Sequence, residues 1–98
     1  MNLHEYLASD GALSVAQLRE RIGAKSDAQV RQWQHGYGDR QPNPEYAMAI
    51  EQATGGKVRV WDLRPNDWHR IWPMLIAADG APPVPTAAND EAKAQANG

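Results

Sequence analysis

The sequence predicts an all-α fold with five helices in a chain of 98 residues. Three observations support this prediction. Apolar residues recur at spacings of three and four along most of residues 2–75, a capping residue stands at the start of each such stretch, and glycine or proline separates the stretches. The chain has the length of one domain, and 42% of its residues are hydrophobic, which is enough for one modest core.

The first two helices are predicted over residues 2–9 and 14–22. Asn2 can cap the first helix with its side-chain oxygen. Ser14 and Gln17 have the spacing of a capping box, in which each side chain accepts a hydrogen bond from the other residue's backbone N–H. Both helices therefore have a start signal that is local in the sequence.

The third helix is predicted over residues 26–35, where Ser26 and Gln29 again have capping-box spacing. Val30 and Trp33 are its apolar positions, and most of its other side chains are polar. A helix that buries two residues in nearly three turns has most of its surface free to contact another molecule.

The fourth helix is predicted over residues 43–53, because Asn43 can cap it and Pro44 suits the first helical position. Two valines then alternate with charged residues over residues 57–60, which predicts a short extended segment. The fourth helix and this segment would be separated by a glycine pair.

The fifth helix is predicted over residues 66–75, with Pro73 ending it, kinking it or starting a further turn. Residues 79–98 are rich in alanine, proline and charge, so they bury too little apolar surface to offset the entropy of ordering. We therefore expect one folded helical domain over residues 1–78 and a disordered acidic tail over residues 79–98.

Composition and spacing exclude several classes of protein. Without cysteine the chain has no disulfide scaffold or thiolate-ligated zinc, which fits the cytoplasm. No apolar stretch approaches the roughly 18 residues of a membrane span, and the first residues lack a signal-peptide pattern. His4, His35 and His69 are scattered without metal-ligand spacing, and we find no nucleophile, paired carboxylates or phosphate-binding loop. We expect a cytoplasmic protein that is not an enzyme and has no metal or cofactor.

The formal net charge of −2 hides one locally basic stretch. Residues 14–40 contain five Lys and Arg residues against three Asp and Glu residues, a net charge of +2. Salt screens each charge within about 8 Å at cellular ionic strength, so a face can bind phosphates although the whole protein is acidic. The charge distribution permits DNA binding without requiring it.

The second and third helices have the pattern of a helix-turn-helix, in which the first helix supports a second, polar helix that enters the major groove. The positions that form this pattern are Leu18, Gly23, Ser26, Val30, Trp33 and Gly36. A more particular run follows: Pro42, Pro44 and Glu45, then Ala49, Ile50, Glu51, Ala53, Thr54, Gly55, Gly56 and Val58, then Asp62, Leu63, Arg64 and Pro65.

These residues resemble the Cro-like regulators of phages and prophages, in particular the YdaS-like antitoxins, over about residues 12–76. The resemblance implies a five-helix domain of the lambda-repressor/Cro type that binds an operator in double-stranded DNA, with a toxin as a possible protein partner. Two features depart from the family pattern: Arg19 stands where a small residue is usual, and the turn before Ser26 is one residue longer. Arg19 has to swing outward from the crossing of the two helices, and the longer turn changes the angle of the third helix.

Under this interpretation, the third helix supplies the base contacts and its surroundings the phosphate contacts. The candidates for base contacts are Asp27, Ala28, Gln29, Arg31 and Gln32, with Arg31 suited to guanine and Gln29 or Gln32 to adenine. The candidates for phosphate contacts are Ser14, Gln17, Lys25 and Arg40. Asp27 could accept from cytosine or simply favour the helix start, and the whole set could also be a solvated helix face.

The predicted function is repression of transcription by a dimer or higher oligomer, because two-fold operators are read by two-fold proteins. The candidates for the oligomer interface are Val58, Val60, Trp61, Trp68 and Trp72. Burial in the core is the alternative for the tryptophans. The alternative function is a protein-interaction module that neutralises a toxin or host factor and keeps the helix-turn-helix as a scaffold.

Overall fold

The computed structural model describes residues 1–36 and 41–84, and within them every regular element is helical, as the sequence predicts. The elements are α1 (Leu3–Leu7), α2 (Val15–Ile22), α3 (Asp27–His35), α4 (Pro44–Ala53), α5 (Val60–Leu63), α6 (Trp68–Ile71) and a 3₁₀ helix (Pro73–Leu75). The described residues thus hold six α-helices where the sequence predicts five. None of these helices is long and apolar enough to cross a membrane.

The chain divides into two compact units, Met1–Pro65 and Asn66–Gly98. In the first unit, α2 packs against α3 and α4, α4 packs against α5, and α1 packs against α3. Its most deeply buried side chains come from four different segments: Leu18, Val30, Ile50 and Val58. The second unit contains α6 and the 3₁₀ helix. Of the predicted tail, residues 85–98 lie outside the described residues.

The predicted helix starts are confirmed at three caps. Asn2 Oδ1 accepts from the backbone N–H of Glu5 at 2.8 Å. Ser14 and Gln17 form the reciprocal capping box, with bonds of 2.9 and 3.1 Å. Asn43 Oδ1 accepts from a backbone N–H in the first turn of α4 at 2.8 Å. Each cap satisfies a donor that the first turn of a helix leaves unpaired.

The extended segment predicted over residues 57–60 is wrong, because Val60 is the first residue of helix α5. The backbone N–H groups that a strand would donate to a neighbour are bonded to side chains instead. Val58 donates to Thr54 Oγ1 at 3.1 Å, and Val60 donates to Glu51 Oε1 at 3.0 Å. Both acceptors belong to α4 or its C-cap, so the end of that helix shapes the segment.

The predicted fifth helix is shorter than expected. Helix α6 ends at Ile71, and Trp72 leaves the helical conformation with φ −123° and ψ 67°. A residue before proline is disfavoured in the helical region, because the proline ring collides with its backbone. Pro73 then starts the 3₁₀ helix, which is the further turn that the sequence left open.

Candidate nucleic-acid interface

Helices α2 and α3 and the turn between them form the candidate interface. Leu18 and Ile22 of α2 and Val30 of α3 are buried, so the two helices share one apolar contact. Gly23 ends α2 with φ 73°, in the left-handed region that side chains other than glycine's rarely adopt. The outer surface of α3 faces away from this contact and remains available.

Some of the predicted base-contact residues are exposed, and others are partly buried or bonded to neighbouring residues. Ala28 and Arg31 are exposed, whereas Gln29 and Gln32 are half-buried. The Arg31 guanidinium forms no hydrogen bond or ion pair within residues 1–36 and 41–84. It is therefore the side chain on α3 best placed for a bidentate contact with a base or phosphate.

Gln29 and the residues before it form a cap that differs from the predicted capping box. Ser26 Oγ accepts from the Gln29 N–H at 3.2 Å, as expected, but Gln29 Oε1 accepts from the backbone N–H of Lys25 at 3.0 Å. The side-chain carbonyl of Gln29 thereby stabilises the turn. To contact a base through both its carbonyl oxygen and its amino group, the Gln29 side chain would first have to break its hydrogen bond with the Lys25 N–H.

Asp27 is held by an ion pair with Arg19, whose Nε donates to Asp27 Oδ1 at 2.8 Å. The pair joins the last turn of α2 to the first turn of α3. It also explains how Arg19 is accommodated near the crossing of the two helices: the side chain turns outward, leaving 32% of it exposed. In this arrangement Asp27 holds α3 in position, and its role as a base contact stays a prediction.

The predicted phosphate contacts also divide. Lys25 is exposed and its ammonium group is unpaired among the described residues. Ser14 and Gln17 use their side chains for the cap of α2, although both remain exposed. Arg40 lies outside the described residues. Their phosphate contacts stay a prediction.

Arg21 is a candidate that the sequence analysis missed. It is exposed on the last turn of α2, and its guanidinium is unpaired within the described part of the chain. Over residues 14–36, four cations and two acids give a net charge of +2. Arg19 and Asp27 neutralise each other. The cations of this region that have no partner among the described residues are therefore Arg21, Lys25 and Arg31. Exposure and the lack of a partner are the signals that identify Arg21, and neither can be read from the sequence.

Tyr46 is a second residue that the sequence analysis missed as part of the site. Its hydroxyl donates to the backbone carbonyl of Gly23 in the α2–α3 turn at 3.4 Å, and its ring lies 5.2 Å from that of Trp33 on α3. One side chain of α4 thus contacts both the turn and α3.

The predicted oligomer contacts are buried within the chain. Relative exposures are 0% for Val58, 2% for Val60, 8% for Trp61, 1% for Trp68 and 8% for Trp72. The Arg59 guanidinium carbon also lies 4.2 Å from the centre of the Trp61 ring. These side chains offer little surface to a second subunit in this conformation, so their interface role stays a prediction.

The family model described as bacterial toxin YdaS matches residues 11–71 of the chain. The matched region begins just before α2 and ends at the last residue of α6, so it contains the whole candidate interface. No curated protein matches the chain.

Proposed function

We propose that the chain, which belongs to the family described as bacterial toxin YdaS, binds double-stranded DNA as a sequence-specific transcriptional regulator. In this proposal α2 and α3 are a helix-turn-helix in a domain of the lambda-repressor/Cro type. Helix α3 enters the major groove, and the protein represses transcription by occupying an operator upstream of its own gene. No catalytic step or cofactor is part of the proposal.

One observation carries the proposal: among the described residues, Arg21, Lys25 and Arg31 are exposed cations without a partner, on or next to a polar helix that is anchored by a fully buried valine. Val30 is 0% exposed, whereas Arg31, the next residue, is exposed and has no partner within residues 1–36 and 41–84. Arg21 on α2 and Lys25 on the turn add two further charges that have no partner in the described part of the chain. Base edges are read by such hydrogen-bonding groups, and the flanking cations bind phosphates.

The test is fluorescence anisotropy with DNA from upstream of the gene and with scrambled DNA, at two salt concentrations. Arg31→Ala is expected to weaken operator binding by about 5-fold to 150-fold, the equivalent of about 1–3 kcal/mol for a base contact. Arg70→Ala is the matched control, because Arg70 is also exposed and without a partner among the described residues, but lies on α6. It is expected to bind as the unmodified protein does.

The salt dependence tests the phosphate contacts separately. If Arg21, Lys25 and the predicted contact Arg40 each neutralise one phosphate, the slope of log K against log salt is about −2.7 for each subunit. Binding to scrambled DNA that equals binding to upstream DNA would refute operator recognition. An affinity of Arg31→Ala equal to that of the control would refute the role of Arg31.

We further propose that the protein binds its operator as a homodimer or higher oligomer, since an operator of two half-sites matches a two-fold protein. Half-sites contacted by two copies of α3 would lie about 34–36 Å apart, one turn of DNA. A footprint covering a single half-site would contradict the dimer.

The family's description as a toxin favours a second candidate function, an interaction module that acts on another protein, such as a toxin or a host factor. In that case α2 and α3 would be a scaffold, and the protein would give no saturable anisotropy change with either upstream or scrambled DNA. The anisotropy experiment therefore separates the two candidates.

A further inference from the structure

The side-chain oxygen of Gln29, a predicted base contact, is already bonded within the α2–α3 turn. The backbone N–H of Lys25 donates to Gln29 Oε1 at 3.0 Å, and the Gln29 N–H donates to Ser26 Oγ at 3.2 Å. A backbone N–H can bond only to an acceptor, so the oxygen of the Gln29 amide is the atom that faces Lys25. The amide nitrogen, Nε2, has no partner within residues 1–36 and 41–84, and it carries two donor hydrogens.

This hydrogen bond changes which base the Gln29 side chain fits. Adenine presents an acceptor, N7, beside a donor, the N6 amino group, and a glutamine reads this edge with its nitrogen and its oxygen together. The Gln29 oxygen has a second lone pair, but its bond to the Lys25 N–H holds it toward the turn. A side chain held in this way presents its two N–H groups, which would face the adenine amino group as donor against donor.

Guanine is the base that a pair of donors fits. Its major-groove edge carries two neighbouring acceptors, N7 and O6, whereas thymine offers one acceptor beside a methyl group and cytosine offers only a donor. We propose that Gln29 recognises guanine by donating its two Nε2 hydrogens to O6 and N7, while its oxygen stays bonded to the Lys25 N–H. This inference rests on the proposed function, because it requires that α3 enters the major groove.

The neighbouring polar side chains of α3 favour the same base. Arg31 is exposed, has no partner among the described residues, and can only donate hydrogen bonds. The Asp27 carboxylate could accept from the amino group of adenine or cytosine, but it already accepts from Arg19 Nε at 2.8 Å. This part of α3 therefore presents donors, which suit a site that contains guanine.

The experiment selects preferred sequences from a library of random DNA duplexes, with the full chain and with two variants. Gln29→Glu keeps an oxygen for the Lys25 N–H and replaces the two donors with a second acceptor, which suits the N4 amino group of cytosine. Gln34→Glu is the matched control, because it adds the same charge to α3. At about 100° per residue, Gln34 lies about 140° around the helix from Gln29, so the control changes the charge without changing the base contact.

The base pair at which the unmodified protein and Gln29→Glu differ marks the Gln29 contact. At that pair the unmodified protein and Gln34→Glu are expected to select guanine, and Gln29→Glu is expected to select cytosine on the same strand. In fluorescence anisotropy, exchanging this G·C pair for A·T should weaken binding of the unmodified protein by about 5-fold to 150-fold, the equivalent of about 1–3 kcal/mol. Replacing the guanine with 7-deazaguanine, which lacks the N7 acceptor, should weaken binding of the unmodified protein but not that of Gln29→Glu.

Amide hydrogen exchange of the protein without DNA tests the bonded oxygen separately. The Lys25 N–H is expected to exchange slowly in the unmodified protein and in Gln29→Glu, and severalfold faster in Gln29→Ala, which has no side-chain acceptor. Equal exchange rates in the three proteins would show that the Gln29 oxygen is not held by the turn and would overturn the proposal. Far-UV circular dichroism verifies that each variant is folded.

Three results with DNA would also overturn the guanine contact. These are adenine or thymine at the marked pair, an unchanged selection by Gln29→Glu, and equal binding of the unmodified protein to guanine and 7-deazaguanine. Any of them, obtained with a clearly preferred sequence, leaves the proposed operator binding standing. A selection that yields no preferred sequence refutes operator recognition itself, and the guanine contact with it.

Discussion

The ion pair between Arg19 and Asp27 allows a test of what Asp27 does. Both side chains are partly exposed, 32% and 38%, so the pair is expected to stabilise the fold by only about 0.2–1 kcal/mol. Asp27 also lies in the first turn of α3, where a negative charge contributes about 0.3–1 kcal/mol more. Arg19→Gln should therefore lower the free energy of unfolding by the first amount, and Asp27→Asn by about 0.5–2 kcal/mol.

The same two substitutions should affect DNA binding in opposite directions, although both break the pair. Asp27→Asn removes an anion and frees the Arg19 guanidinium, which can then neutralise a phosphate. Arg19→Gln removes a cation and leaves the Asp27 carboxylate unpaired beside the DNA. The salt slope should become steeper by about 0.9 in Asp27→Asn, while affinity for any DNA should fall in Arg19→Gln.

The assays are urea unfolding and fluorescence anisotropy with upstream and scrambled DNA. The double variant completes a cycle that isolates the coupling energy of the pair. If Asp27 instead accepts a hydrogen bond from cytosine, Asp27→Asn will lose its preference for upstream over scrambled DNA. That outcome, or a weaker salt slope in Asp27→Asn, would refute the positioning role.

Two further predictions concern stability. Thr54 is 5% exposed, and its Oγ1 donates to the Ile50 carbonyl at 2.9 Å and accepts from the Val58 N–H at 3.1 Å. Thr54→Val should destabilise the protein by about 1–3 kcal/mol, because the buried Val58 N–H loses its partner. Thr54→Ser keeps the hydroxyl and should retain most of the stability, as measured by urea unfolding. Equal losses of stability in the two variants would contradict this. Ala77 has φ 69°, so Ala77→Gly should raise stability by up to about 1 kcal/mol in the same assay, and a loss of stability would show that the strain is absent.

The helix starts could be predicted from the sequence because each cap is made by residues three positions apart. Ser14 and Gln17 need only each other, and Asn43 needs only the first turn of α4. The start of α5 has a weaker local signal: Asp62 Oδ2 accepts from the Arg59 N–H at 2.9 Å, but the Arg59 side chain has no oxygen that could cap the helix. The Val60 N–H is bonded to Glu51, nine positions earlier, and only the packing of α5 on α4 brings them together.

Alternation of apolar residues misled the prediction over residues 57–60 for a related reason. Val58 and Val60 are both buried, as alternation requires, at 0% and 2% exposure. Two buried positions separated by one residue are compatible with a strand, but also with a bend followed by a helical turn. Thr54 Oγ1 and Glu51 Oε1 decide between them, because they bond the backbone donors that a strand would use.

The same distinction between local and distant partners governs the candidate site. The local net charge of +2 counts Arg19 equally with Arg31, yet one guanidinium is held by Asp27 and the other is unpaired among the described residues. A cation that stabilises the helix pair and a cation that can bind DNA are distinguished only by whether a partner lies next to them in the structure. Residue type and spacing could therefore indicate where the candidate site lies. Which of its side chains can bind DNA depends on the contacts between helices, which the sequence does not give.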